Sequence, residues 1–184
     1  MSSIFTKTLD ICQVGNPVLR LTAEPIADPQ AEVVQKLIAG LIKTLKQSNG
    51  VGIAAPQVGR SQRLLVIASH PNARYPHAPN MEPLPLINPV IRSHSENTEK
   101  DWEGCLSVPG IRGLVPRYDS IEVEYCDRHG KTQTTTFTGF VARILQHEYD
   151  HLEGKVFLDR VESSLDLISE AEYLKLIQQG NKLS

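Results

Sequence analysis

The chain has 184 residues, 40% of them hydrophobic, and a formal net charge of -2. This suits one domain spanning residues 1–184 with a sizeable core, and it excludes a disordered chain. No apolar run approaches the ~20 residues that cross a bilayer, and no basic surplus marks a nucleic-acid binder.

The N-terminal stretch MSSIFTKTLDICQVG has no apolar core of signal-peptide length. Pro17, Pro25 and Pro29 then break the chain into turns and short extended pieces. Val33, Val34, Leu37, Ile38, Leu41, Ile42 and Leu45 recur at helical spacing. Asp28 or Pro29 can start this helix and Gly50 can end it. RLLVIAS (63–69) reads as a short buried strand, and the proline-rich stretch 70–85 as a long surface loop. LINPVIRSH (86–94) reads as a strand. Residues 121–139 read as a hairpin turning at Asp127 to Gly130. FVARILQHEYDHLEG is helical again, with Thr138 as N-cap and Gly154 as the stop. SLDLISEAEYLKLIQQG reads as a last amphipathic helix. Helices and strands do not alternate regularly, which argues for an α+β fold. Antiparallel or mixed sheets would pack around the central histidine helix, with one helix near each end of the chain.

The central helix carries His147-Glu148-x-x-His151. Four residues turn a helix through ~400°, so both imidazoles share one face, one turn apart. Phe140, Val141, Ile144, Leu145 and Leu152 make the surroundings apolar, and buried imidazoles there need partners that a metal can supply. Glu148 lies ~60° from His151, placed to move protons at the open side of the metal without binding it. The third ligand is less direct. A histidine in the pattern H-E-x-x-H-x-x-G-x-x-H would fall at position 157, which is Phe157. Glu170 and Glu172 are allowed by spacing, although the solvent face of the last helix explains them as well. Cys105 in WEGCLSVPG is the remaining candidate. Gly104, Pro109 and Gly110 suggest an irregular segment able to approach a site, and a Cys-His-His set leaves one position open for chemistry. Cys12 and Cys126 lack such a setting, and three scattered cysteines point to a reducing compartment, the cytoplasm. GVGIAAPQVG (50–59) also fits G-x-G-x-x-A. It follows a helix, however, and contains Pro56, which argues against a dinucleotide site. Its glycines would let backbone amides approach an extended peptide, and Gln57 would offer a side-chain donor to a carbonyl.

GVGIAAPQ (Gly50–Gln57), EGCLS (Glu103–Ser107) and QHEYDH (Gln146–His151), in this order and spacing, resemble the peptide deformylases. Those enzymes remove the N-terminal formyl group from new bacterial-type proteins. The family patterns G-x-G-x-A-A-x-Q, E-G-C-x-S and H-E-x-D-H are matched without substitution. The resemblance implies that Cys105, His147 and His151 hold the metal and that Glu148 is the general acid and base. It implies that Gln57 and the backbone N–H of Leu106 stabilise the oxyanion. Gly50, Val51 and Gly52 would bind the peptide like an added strand, with Glu103 and Gly104 in the same substrate-binding group. Ile144 and Val51 would line a methionine pocket, near whose rim Arg143 stands. Glu103 would pair with Arg117 to support the cysteine segment. The ligands alone suggest zinc. The resemblance implies ferrous iron, with Ni2+, Co2+ or Zn2+ as substitutes. The expected partners are N-formylmethionyl nascent peptides. Lys175 and Lys182 of the last helix offer a basic contact to the ribosome. The competing expectations are a zinc peptidase using an acidic third ligand and a non-catalytic member that binds nascent chains.

Overall fold

The computed structural model describes residues 8–72 and 75–179. Three α-helices are present among them, α1 (Glu32–Ser48), α2 (Gly139–Leu152) and α3 (Glu170–Gln178). The strands are β1 (Gly52–Ala54), β2 (Leu64–Ser69), β3 (Met81–His94), β4 (Thr98–Cys105), β5 (Val108–Tyr118), β6 (Ser120–Cys126), β7 (Thr132–Thr138) and β8 (Leu167–Ser169). They form a five-stranded sheet in the order β1-β2-β3-β6-β7 and a three-stranded sheet in the order β4-β5-β8. Every pairing between these strands is antiparallel. The α+β expectation holds, and α2 is the central helix.

β2 shows why its sequence is a continuous apolar run. Side chains alternate across a strand, so Leu65 and Ile67 face α2 and pack with Ile144, Leu145 and Leu152. Leu64 and Val66 face the other way and pack with Val34, Ile38, Leu41 and Leu45 of α1. A strand covered on both faces has no polar side to show. α1 stops at Asn49, which adopts the left-handed conformation at φ 51, and not at Gly50. Asp28 does not cap this helix. Its carboxylate accepts from the Gln30 N–H in the preceding turn, and Ala31 stands at the N-cap.

Three further expectations are corrected. The stretch 70–85 is not all loop, because β3 begins at Met81 and contains Pro83 and Pro85. Residues 81–86 pair only with β2, since β6 joins from Ile87 onward. That half of β3 is locally an edge, where a missing N–H is tolerated. The last helix is shorter than its pattern: Leu167–Ser169 form β8 against β5, and Ser169 then caps α3 by accepting from the Glu172 N–H. Lys182 lies outside the described residues. Cys105 ends a regular strand, β4, and is paired with Val108 across a tight turn.

Candidate active site

α2 and the β4–β5 turn bring Cys105, His147 and His151 together. One donor atom from each lies within 4.8 Å of the others, the closest bonded contact being Cys105 Sγ to His151 Nε2 at 3.3 Å. Both histidines are buried because α2 is embedded nearly all round. Phe157, where one metalloprotease class would need histidine, stacks instead on the His147 ring at 6.2 Å.

Behind His147 stands an ionic network. His147 Nδ1 meets Glu103 Oε2 at 2.9 Å, which leaves Nε2 to face the cluster. Arg117 grips the same carboxylate with two bonds, Nε–Oε1 at 2.9 Å and Nη2–Oε2 at 3.0 Å. Its Nη1 donates to Asp150 at 2.6 Å, and Arg160 donates to Asp150 at 2.6 Å from the outside. Arg143 adds a bond to Glu103 at 3.1 Å and donates to the carbonyls of Val115 at 2.8 Å and Glu99 at 2.6 Å. Burial alone would raise the Glu103 pKa, but the charge and hydrogen bonds of Arg117 hold it well below the usual carboxylate range. Both Glu103 oxygens are thus committed to α2 and β5. The carboxylate of Glu103, a residue expected to meet the peptide, is thus occupied behind the site.

In front of the histidines the setting differs. Burial would raise the Cys105 thiol, yet His151 and His147 beside it hold it well below its ordinary value, which favours the thiolate. Burial pushes Glu148 up to about 7. Its Oε2 meets no hydrogen-bond donor among the described residues. Glu148 leans against β1 so closely that a Cβ on Gly52 would stand 2.5 Å from Oε1. This contact explains the glycine. The side-chain Oε1 of Gln57 accepts from the Ala54 N–H at 2.8 Å, which turns Nε2 toward Cys105 Sγ at 3.4 Å and Ser107 Oγ at 3.3 Å. Gly50, Val51, Gly52, Gly104, Leu106 and Ile144 all line the cleft beside this group. β1 and β4 each end their sheet, so the cleft runs between two strand edges.

The glutamates of the last helix are placed elsewhere. Glu170 is paired with Arg112 and Glu172 with Lys175. Sequence reasoning assigned no role to Asp150, although a carboxylate beside His151 in an embedded helix marked it. It also missed Tyr75, Trp102 and Phe140 in the cleft wall. No spacing rule joins those residues. A half-buried thiolate and two buried imidazoles, converging and with His147 held from behind by Glu103, fit a single divalent transition-metal ion. Among the described residues, no helix is long and apolar enough to cross a membrane.

Comparisons with known proteins agree with this arrangement. The family model for polypeptide deformylase matches residues 8–166. Peptide deformylase 2 of Nostoc sp. is 56% identical over 174 residues, covering 95% of this chain and 97% of its own. The structure of the class I type b peptide deformylase from Acinetobacter baumannii bound to Met-Ala-Ser has a TM-score of 0.83 at 40% identity. It covers 85% of this chain and 100% of the other. A peptide deformylase from Synechococcus elongatus in complex with actinonin has a TM-score of 0.75 at 35% identity, covering 98% of this chain and 93% of the other. By sequence along most of its length, by fold and by its Cys-His-His cluster, the chain belongs to the polypeptide deformylase family, metal-dependent hydrolases that remove the N-formyl group from nascent polypeptides.

Proposed function

We propose that this chain performs the family reaction with Cys105, His147 and His151 holding ferrous iron and Glu148 moving the protons. The observation that carries the reading is the pairing of a converging three-donor cluster with a buried carboxylate that presses on a glycine of the cleft wall. The donor set would also take Zn2+, Ni2+ or Co2+. When bound there, the ion supplies Lewis acidity toward the formyl oxygen and the attacking water.

The chain's own residues do the rest. The peptide backbone lies along Gly50 and Val51 and the open edge of β1 that begins at Gly52, with Gly104 of β4 on the other side. The methionine side chain enters beside Val51 and Ile144. Glu148 takes a proton from the attacking water and returns it to the α-amino nitrogen as the C–N bond breaks and formate leaves. Gln57 Nε2 and the Leu106 N–H donate to the oxyanion as it forms, a contribution of about 3 kcal/mol for one such donor. Glu103 holds His147 in the tautomer that presents Nε2. Formylated nascent chains place the enzyme in the cytoplasm, near the ribosome.

Formate release from formyl-Met-Ala-Ser, by protein prepared without air and with ferrous iron present, tests the reading. We expect rapid release that disappears, together with the bound ion, in Cys105→Ala. No release from a sample holding one ion per chain would overturn it.

A further inference from the structure

One wall of the cleft is braced from the far end of the chain. Tyr75, from the β2–β3 loop, lines the cleft beside Phe140, with ring centroids 4.9 Å apart. Its phenol oxygen accepts from Arg112 Nη1 at 3.1 Å. Arg112 lies on β5 and is only 1% exposed. Its other donors go to Glu170 at the start of α3, Nε–Oε2 at 2.8 Å and Nη2–Oε1 at 3.3 Å. The guanidinium lies 4.3 Å from the ring centroid of Tyr173, also on α3, and 5.2 Å from that of Tyr75. Gly104, next to Cys105, leaves room for this arrangement, since a Cβ there would stand 3.2 Å from Arg112 Cζ.

A buried cation is retained only where partners offset its desolvation. Arg112 finds them in two places that share no sequence neighbourhood, a loop at the cleft and a helix near the C-terminus. A planar guanidinium bonded at both ends fixes the distance and angle between its partners. The match to the family model ends at residue 166, so Glu170 and Tyr173 lie beyond what that match accounts for.

We propose that Arg112, Glu170 and Tyr173 are positioning residues for Tyr75, and that the Tyr75 ring is a wall contact for the bound formyl-peptide. α3 thereby sets how tightly the cleft holds substrate. The proposal rests on the deformylase reading above. Because the bonds of the brace go to Tyr75 and Glu170 and not to Cys105, His147 or His151, it acts on ground-state and transition-state binding alike. Its loss raises KM and leaves kcat nearly unchanged.

The test is steady-state formate release from formyl-Met-Ala-Ser by the full, metal-loaded chain. Tyr75→Ala and Glu170→Gln should each raise KM about fivefold, equivalent to about 1 kcal/mol, with kcat within about twofold of the parent. The double variant should be no worse than Tyr75→Ala alone, because both changes remove one contact. Glu170→Asp should restore most of the affinity. A Glu170→Gln KM equal to that of the parent, or effects that add in the double variant, would overturn the proposal. If Glu170→Gln leaves Arg112 too poorly paired to fold, Tyr173→Leu keeps the ion pair and removes the ring beneath it. The same two results then decide. Absence of formate release by the parent chain would instead sink the deformylase reading and leave the brace unaffected as a structural fact.

Discussion

Two buried carboxylates flank the same histidine, and their surroundings are opposite. Glu103, behind His147, receives hydrogen bonds from Arg117, Arg143 and His147 and stays ionised far below the usual range. Glu148, one residue along the helix and in front, has an oxygen without a donor among the described residues and is pushed to about 7. Burial is common to both, so it does not decide the outcome. The number of fixed cations does. The carboxylate behind His147 is satisfied and fixed, and it orients that ring. In front, the Glu148 carboxylate is left unsatisfied, with a pKa that suits proton transfer near neutral pH.

The largest effect should come from breaking the rear. Arg117→Met leaves Glu103 and Asp150 buried without their shared cation, which should cost about 3–5 kcal/mol of stability. Loss of His147 orientation should also weaken metal affinity by about 10- to 100-fold. Denaturant unfolding and chelator competition read the two effects, and a change near zero in both would contradict the division drawn here. Breaking the front should spare the fold and strike the rate. In Gly52→Ala the new methyl collides with Glu148, and the displaced carboxylate should lower kcat by about a hundredfold with metal content unchanged. A normal rate would mean that Glu148 need not stand where it does.

Away from the site, Asp159 gives the smallest effect. Burial opposes its ionisation, but hydrogen bonds from Arg20 and the Val156 N–H hold its pKa below the ordinary value. Such a group stabilises the fold above its unfolded pKa, and the contribution is lost as pH falls through the folded value. Asp159→Asn should therefore cost about 0.5 kcal/mol at neutral pH, and the difference should vanish in acid. A gap that widens on acidification would reverse the sign.

Local patterns made part of this legible. His147 and His151 are related by helix geometry alone, and Gly50 to Gln57 by a short run of chain. β2 and the β6–β7 hairpin announced themselves as an apolar run and an alternating one. The β4–β5 hairpin did not, because Gly104, Pro109 and Gly110 read as loop signals although Cys105 pairs with Val108. Pro83 and Pro85 concealed the start of β3 for the same reason, since their tolerance depends on which strand is absent beside them. Arg143 was expected near the methionine pocket and does line the cleft beside Val51 and Ile144, while the bonds of its guanidinium to Glu103 and three strand carbonyls were not legible. The Tyr75–Arg112–Glu170 brace joins residues from three elements, and no periodicity in any of them encodes it.

In the proposed reaction, holding the metal and moving the proton belong to different residues. Glu148→Gln tests it most directly, with metal content and formate release measured on the same preparation. The variant should hold one ion per chain, unfold at a midpoint no lower than the parent's, and release formate about a thousandfold or more slowly. A variant that keeps its ion and releases formate at the parental rate would show that Glu148 is not the base.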